Sequence, residues 1–120
     1  MQATILFSHG SRDPFWRTPM DKVAQCMREF DPQVQVRCAF LELTEPTMAV
    51  AVADLICVGA KSITIVPMFL GVGKHAREDM PELVNGLMTL YPEISFQLNP
   101  SIGEDTRVIE MLARIAMPPH

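Results

Sequence analysis

The chain has 120 residues, of which 48% are hydrophobic and 20% charged, with a formal net charge of −4 and a pI near 5.2. That length makes a single domain, 1–120, able to bury roughly two-thirds of the surface its unfolded chain exposes, and the composition excludes a disordered or fibrous protein. The acidic balance speaks against nucleic acid, which calls for a basic face, and with no apolar stretch of about 18 residues and no secretory leader before the first strand-like segment, a cytoplasmic protein with no membrane partner is expected.

In chain order, Ala3 to Ser8 reads as a short apolar strand, and Gly10 to Pro14 as a loop. Thr18, with Pro19 behind it and Asp21 three residues on, has the form of a capping box opening a helix. Met20, Val23, Ala24, Met27 and Phe30 mark the apolar face of that helix, which Asp31-Pro32 ends. Val34, Val36, Cys38 and Phe40 alternate with polar residues, the period of a second strand. Thr44 and Pro46 are expected to start a second helix that runs through Val50, Leu55 and Ile56 to a stop at Gly59.

Ser62 to Leu70 is β-branched and then continuously apolar, the pattern of a central strand. A loop from Gly71 to Lys74 leads into His75 and a polar turn. Pro81 to Leu90 then carries Leu83, Leu87 and Leu90 at helical spacing, Ile94 to Leu98 reads as a fourth strand, and a last helix follows Gly103 with Val108, Ile109, Leu112 and Ile115 expected to face inward. Alternation of this kind implies right-handed crossovers, and so an α/β domain of three layers, α/β/α, around a four-stranded parallel sheet. A sheet that small leaves an edge or a face for a second copy to cover, so a homodimer is expected.

Cys26, Cys38 and Cys57 are odd in number and widely spaced among apolar neighbours, which reads as three buried thiols; the paired spacing of a zinc site is absent. In a parallel sheet every loop that follows a strand lies on one rim. Four segments converge there: Ser8 to Asp13, Glu42 to Glu45, Gly71 to Glu78, and Asn99 to Glu104. They bring His9 and His75, Glu42 and Glu45, and the cations Arg12, Lys74 and Arg77.

A histidine in a loop is ordinarily exposed or satisfied by a carbonyl; two at corresponding strand ends point instead to a shared site at the carboxyl edge, where open α/β sheets bind ligands. Imidazoles with carboxylates suit first-row divalent metals. Arginine matches carboxylate or phosphate geometry. Gly10, Gly71 and Gly73 suit close backbone approach or positive φ, Phe15-Trp16 could either shield a flat ligand or meet a dimer partner, and His120, in a Met-Pro-Pro-His tail, is given no role. Insertion of a metal into a carboxylated tetrapyrrole is the chemistry that asks for both a metal site and a polyanion site.

Four ordered motifs carry a resemblance: SHGSRDP after the first strand, AFLELTEP after the second, VPMFLGVGKHAREDMP after the third and SIGED after the fourth. In these the chain resembles the short form of the CbiX-type sirohydrochlorin chelatases, a class II chelatase family. The resemblance implies a chelatase-like, flavodoxin-like half that works as a homodimer and inserts Co²⁺, or Fe²⁺ or Ni²⁺, into sirohydrochlorin without an organic cofactor. It implies His9 and His75 as metal ligands and acceptors of the pyrrole protons; ring distortion helped by Phe69 or Leu70 is an added expectation for passing the metal to the macrocycle. A neutral imidazole can bind a metal through one nitrogen and has a reference pKa of about 6.5, suited to proton transfer near neutrality.

Glu42 is then a third ligand or a delivery carboxylate, and Glu45 either a metal contact or a charge at a helix start. Arg12, Lys74 and Arg77 would pair with substrate carboxylates, with Ser11 and Ser101 adding hydroxyls. Two rivals share the residues: a metal or tetrapyrrole carrier using the same rim without turnover, and a histidine-phosphatase-like hydrolase suggested by Ser-His-Gly-Ser-Arg, although Ser8 stands where that class places an arginine. A receiver-type domain lacks its acidic pocket here.

Overall fold

In the computed structural model, which describes residues 1–119, the sheet is built from four strands: β1 (Gln2–Ser8), β2 (Gln35–Phe40), β3 (Ser62–Pro67) and β4 (Ser95–Leu98). Four helices join and follow them: α1 (Thr18–Phe30), α2 (Met48–Cys57), α3 (Lys74–Leu90) and α4 (Thr106–Ala116), with a 3₁₀ turn at Ile102–Glu104 before the last. His120 lies outside the described residues. No described helix is long and apolar enough to cross a membrane.

All strands are parallel, in the order β2-β1-β3-β4. The chain leaves β1 toward β2 on one side and returns to place β3 on the other, so the direction of winding reverses between β1 and β3. In open α/β sheets the ligand crevice lies outside the carboxyl ends of the strands at such a reversal. The register pairs Phe7 with Pro67, which brings the ends of the two central strands level and sets the loops that follow them side by side.

Side-chain alternation divides the core. Ala3, Ile5 and Phe7 of β1 join Ile63 and Ile65 of β3 beneath α2 and α3, in a cluster that also holds Val52, Leu55, Val84 and Leu87. Leu6 points the other way, with Val36, Cys38 and Phe40 of β2 against Met20 and Ala24 of α1. Burial pushes the Cys38 thiol above its ordinary pKa, with the Asp21 carboxylate adding to the shift. It therefore stays protonated and donates to the Met20 carbonyl at 3.6 Å, a buried structural thiol as expected. Cys26 and Cys57 differ from expectation: both are exposed.

Several element boundaries depart from the sequence pattern for identifiable reasons. Helix α1 begins at Thr18 without a capping box, because its cap residue is Arg17 and makes no side-chain cap bond; Asp21 instead pairs with the Arg17 guanidinium at 2.9 Å. Val23 and Phe30 are exposed, the latter 86%, so the apolar stripe of α1 is narrower than its sequence. The Thr44-Pro46 segment is not helical, since the Phe40 amide donates to the Pro46 carbonyl and holds that segment against β2. Helix α2 starts two residues after Pro46, at Met48, and is capped by the Thr47 side chain.

Strand β3 stops at Pro67, and the run to Leu70 forms a rim loop. Helix α3 starts seven residues before Pro81, which lies inside it. A proline within a helix forfeits one backbone hydrogen bond; Met80, Val84 and Leu87, packed on the sheet, hold the helix across that position. None of the described residues of α4 is buried: Ile109, Leu112 and Ile115, expected to face inward, lie largely in solvent.

Candidate functional site

His9 directly follows the last residue of β1. The next residue, Gly10, has φ +103, and a Cβ there would lie 1.7 Å from the Glu42 carbonyl oxygen. Only glycine meets both conditions. The close approach lets the Leu41 and Glu42 amides donate to the carbonyls of Ser8 and His9, both at 2.9 Å. Thr44 completes the lacing: its hydroxyl accepts from the Ser11 amide and donates to the Ser11 carbonyl, each at 2.8 Å. The two rim loops after β1 and β2 thus form one unit around His9.

The imidazole of His9 rests on the Phe69 ring, with centroids 4.6 Å apart and planes tilted by 55°. Phe69 is fixed from behind by the loop after β4. The Ser101 hydroxyl donates to the Phe69 carbonyl at 2.6 Å and the Gly103 amide donates to it at 2.9 Å. A Cβ on Gly103 would lie 1.9 Å from the Leu70 carbonyl oxygen, so that approach also requires glycine.

His75 sits in the first turn of α3, not in a loop, and this changes what accompanies it. Residues four and eight positions on share its helix face. A cavity of about 190 Å³ is lined by His9 and His75 together with Asp79 and Leu83, and by Phe7, Leu41, Phe69, Ala76 and Met80. Asp79 and Leu83 follow His75 at those two spacings. Sequence reading missed them because it placed the helix start at Pro81; a start at Lys74 would have exposed the pattern.

The other expected residues are less convergent. Glu42 contributes its backbone to the His9 loop, while its side chain is exposed. Among the described residues no three His, Cys, Asp or Glu side chains form a group able to hold a metal ion, so Glu42 does not complete a three-ligand set. Glu45 is exposed and outside any helix, and its carbonyl accepts from Arg17 at 2.9 Å. Arg12 and Lys74 are exposed at the rim. Arg77 lines a neighbouring cavity of about 310 Å³ with Asn99, Ser101 and Glu104. Ser11 Oγ accepts from the Asp13 amide at 3.1 Å.

Ser101 corrects an expectation. It is buried, its hydroxyl proton goes to the Phe69 carbonyl, and its backbone amide donates to the Glu104 carboxylate at 3.1 Å. The hydroxyl therefore positions the Phe69 loop and has no hydrogen left for a ligand. Trp16 packs edge-on to Phe40 at 6.0 Å while staying 38% exposed, and Phe15 is 81% exposed. Exposed Leu41, Leu43 and Leu70 add apolar surface to the same rim loops. Two imidazoles in a small apolar cavity form an incomplete coordination set; resident structural metals take four protein ligands, so the arrangement suits an ion held briefly.

The CbiX family model matches residues 3–116. The chain belongs to the CbiX family. A sirohydrochlorin cobaltochelatase of Methanococcus aeolicus is 37% identical over 84 residues, covering 70% of this chain and 59% of that relative; the chain thus spans less than two-thirds of its length. Among solved structures, a putative cobalamin (vitamin B12) biosynthesis CbiX protein from Marinobacter aquaeolei superposes with a TM-score of 0.83 at 28% identity, covering 96% of this chain and 93% of that one. SirB from Bacillus subtilis with Fe³⁺ gives 0.78 at 26% identity, covering 98% of this chain but 48% of SirB. The α/β fold is thus that of CbiX and SirB proteins, and membership of the CbiX family sets aside the histidine-phosphatase alternative.

Proposed function

We propose that this CbiX-family chain is a sirohydrochlorin chelatase that inserts a divalent metal ion, Co²⁺ foremost and Fe²⁺ or Ni²⁺ by the same coordination chemistry, into the macrocycle. The observation that carries this reading is the meeting of His9 and His75 on the wall of one small cavity at the winding reversal of the sheet. The names of relatives support it: a cobaltochelatase in Methanococcus aeolicus, and a SirB structure with Fe³⁺ in Bacillus subtilis.

In this reading the metal is a substrate. The two imidazoles hold it through one nitrogen each, and having few ligands lets it leave. The cavity, at about 190 Å³, is smaller than the roughly 300–1,000 Å³ of pockets that enclose drug-sized ligands. A tetrapyrrole therefore lies across the rim, its ring on the apolar surface of Phe15, Leu41, Leu43 and Leu70 and its metal-binding centre over the histidines. Arg12 and Lys74 at the rim, Arg77 beside the adjoining cavity, and the Ser11 hydroxyl meet its carboxylates. Glu42, exposed beside the His9 loop, serves as a delivery carboxylate. No organic cofactor takes part.

The same reading includes a homodimer. Among the described residues none buries the apolar side of α4, and SirB, of which this chain covers 48%, is long enough to hold two such units. Free thiols at Cys26, Cys38 and Cys57 fit a reducing cytoplasm, and the acidic balance fits a protein that binds neither nucleic acid nor anionic membranes.

The test is the absorbance change of sirohydrochlorin with Co²⁺ or Fe²⁺, measured for the native protein, His9→Ala and His75→Ala against the spontaneous rate. Acceleration by the native protein that is lost in both variants is expected. Tight metal or macrocycle binding with no acceleration would replace the chelatase by a carrier.

A further inference from the structure

We infer that the cleft between α1 and the edge strand β2 is a second binding site, separate from the histidine cavity, and that it takes a dianionic phosphate group. The cleft, of about 360 Å³, is lined by Arg17 at the start of α1, by Asp21, Ala24 and Arg28 along that helix, and by Arg37 and Cys38 of β2. None of these residues lines the cavity of His9 and His75. Arg17, Asp21, Ala24 and Arg28 recur at three- and four-residue spacing, which sets them on one helix stripe. The small side chain of Ala24 leaves room between the charged ones.

Three guanidiniums face one carboxylate in this cleft. Asp21 is fully used by Arg17, whose Nε and Nη2 hold its two oxygens at 2.9 and 3.1 Å. Arg28 and Arg37 take part in no ion pair among the described residues. Both donate instead to one oxygen, the Val36 carbonyl, at 3.2 and 3.0 Å. An edge strand leaves carbonyls without a partner strand, and here one such carbonyl gathers two cations. Like charges so placed repel each other. The Cys38 thiol beside them keeps its proton, which it gives to the Met20 carbonyl, and so supplies no countercharge. In a chain of net charge −4, this is a local excess of positive charge facing open space.

The unmatched charge, three guanidiniums less one carboxylate, selects the ligand. A phosphate monoester carries about −1.5 to −2 at neutral pH, whereas a lone carboxylate carries a single charge. Each guanidinium has five N–H donors in a planar fork that fits phosphate oxygens in pairs. Arg28 and Arg37 each commit one nitrogen to protein acceptors, which leaves donors on both for an anion standing between them. Arg17 is the fixed wall of the site. Its Nη1 donates to the Glu45 carbonyl at 2.9 Å, and its guanidinium rests 4.7 Å from the centroid of the Phe40 ring. Arg28 and Arg37 are therefore the pair that holds the phosphate.

The experiment is an amide NMR titration of the full chain with inorganic phosphate, with AMP as a phosphate monoester, and with citrate as a polycarboxylate, at ionic strength held constant with NaCl. Phosphate and AMP should each give saturable shifts of the Arg37 and Cys38 amides, and citrate a weaker response. Arg28→Gln and Arg37→Gln should each weaken phosphate binding roughly tenfold, the loss of one charge-assisted contact. Lys61→Gln removes the same charge at an exposed position just before β3 and should leave binding unchanged. The amide spectrum itself identifies a variant that has failed to fold, and the other arginine variant then carries the comparison.

Tighter binding of AMP than of inorganic phosphate assigns the site to an organic phosphate; equal or weaker binding of AMP assigns it to the free ion. No saturable shift with either compound, citrate bound more tightly than both, or equal losses in Lys61→Gln and the arginine variants would each overturn the inference. None of these measurements requires metal or sirohydrochlorin, so their outcome is independent of the chelatase reading.

Discussion

Helices α2 and α4 are of similar length and both carry apolar stripes, yet they end in opposite environments. In α2, Met48, Ala51, Val52 and Leu55 all vanish against β1, β2 and β3. In α4, Leu112 is 42% and Ile115 is 73% exposed, and no described residue is buried. The difference teaches that an amphipathic pattern states which face needs cover, not what will cover it. Helix α2 is a crossover between two strands, so the sheet receives it. Helix α4 follows the four-residue edge strand β4, and among the described residues no strand comes after it to draw it back across the sheet.

The largest effect should come from the buried member of the pair. Leu55→Ala, at a fully buried site, should cost about 2–5 kcal/mol through lost transfer energy and the cavity it leaves. Leu112→Ala should stay within roughly 0.5 kcal/mol for the isolated monomer, as surface substitutions usually do. Urea unfolding at low protein concentration measures both, and equal costs would mean that α4 is covered by its own chain.

Next in size is an effect on association. Leu112→Asp places a charge in the face proposed to meet a second copy, where an unpaired buried charge is strongly unfavourable. Sedimentation at increasing concentration should show the native chain associating and this variant remaining monomeric. A native chain that stays monomeric at every concentration would remove the homodimer from the proposal.

The smallest effect concerns the start of α4. Hydrogen bonds from the Arg107 side chain, and then from its backbone amide, lower the Asp105 carboxyl to about 2. A depressed carboxylate contributes stability that is present above its unfolded pKa and lost as pH falls through the folded value. The contribution from Asp105 is therefore whole at neutral pH and disappears only as pH falls toward about 2. An NMR titration of the Asp105 carboxyl should show the low midpoint, and Arg107→Gln should raise it; a midpoint unmoved by that change would assign the depression to something other than Arg107.

The elements that sequence reading located well are those where local and global signals agree. The alternating Val36, Cys38 and Phe40 lie in a strand with one buried face, and the continuous Ile63 to Pro67 run lies in a central one. It failed where a local stop signal was overruled. Pro81 reads as a helix start, but packing on the sheet carried α3 across it; Pro46 reads the same way, but a hydrogen bond from the Phe40 amide of β2 to its carbonyl holds it in a bend before the helix. The first of these hid Asp79, since only a helix beginning at Lys74 aligns it with His75. Ser101 was misjudged for a related reason, because sequence reports a hydroxyl and not the carbonyl that already receives its proton.

By itself the sequence determined the alternation of strands and helices, the parallel sheet, and the histidines that come after two of the strands, because hydrophobic period and glycine position are properties of neighbouring residues. Only the tertiary structure decided that β1 and β3 are neighbours, that the Phe69 ring supports His9, and that Asp79 shares their cavity. It also decided that no described residue of α4 is buried. Those outcomes depend on which surfaces meet across long stretches of chain, and local propensity carries no information about that choice.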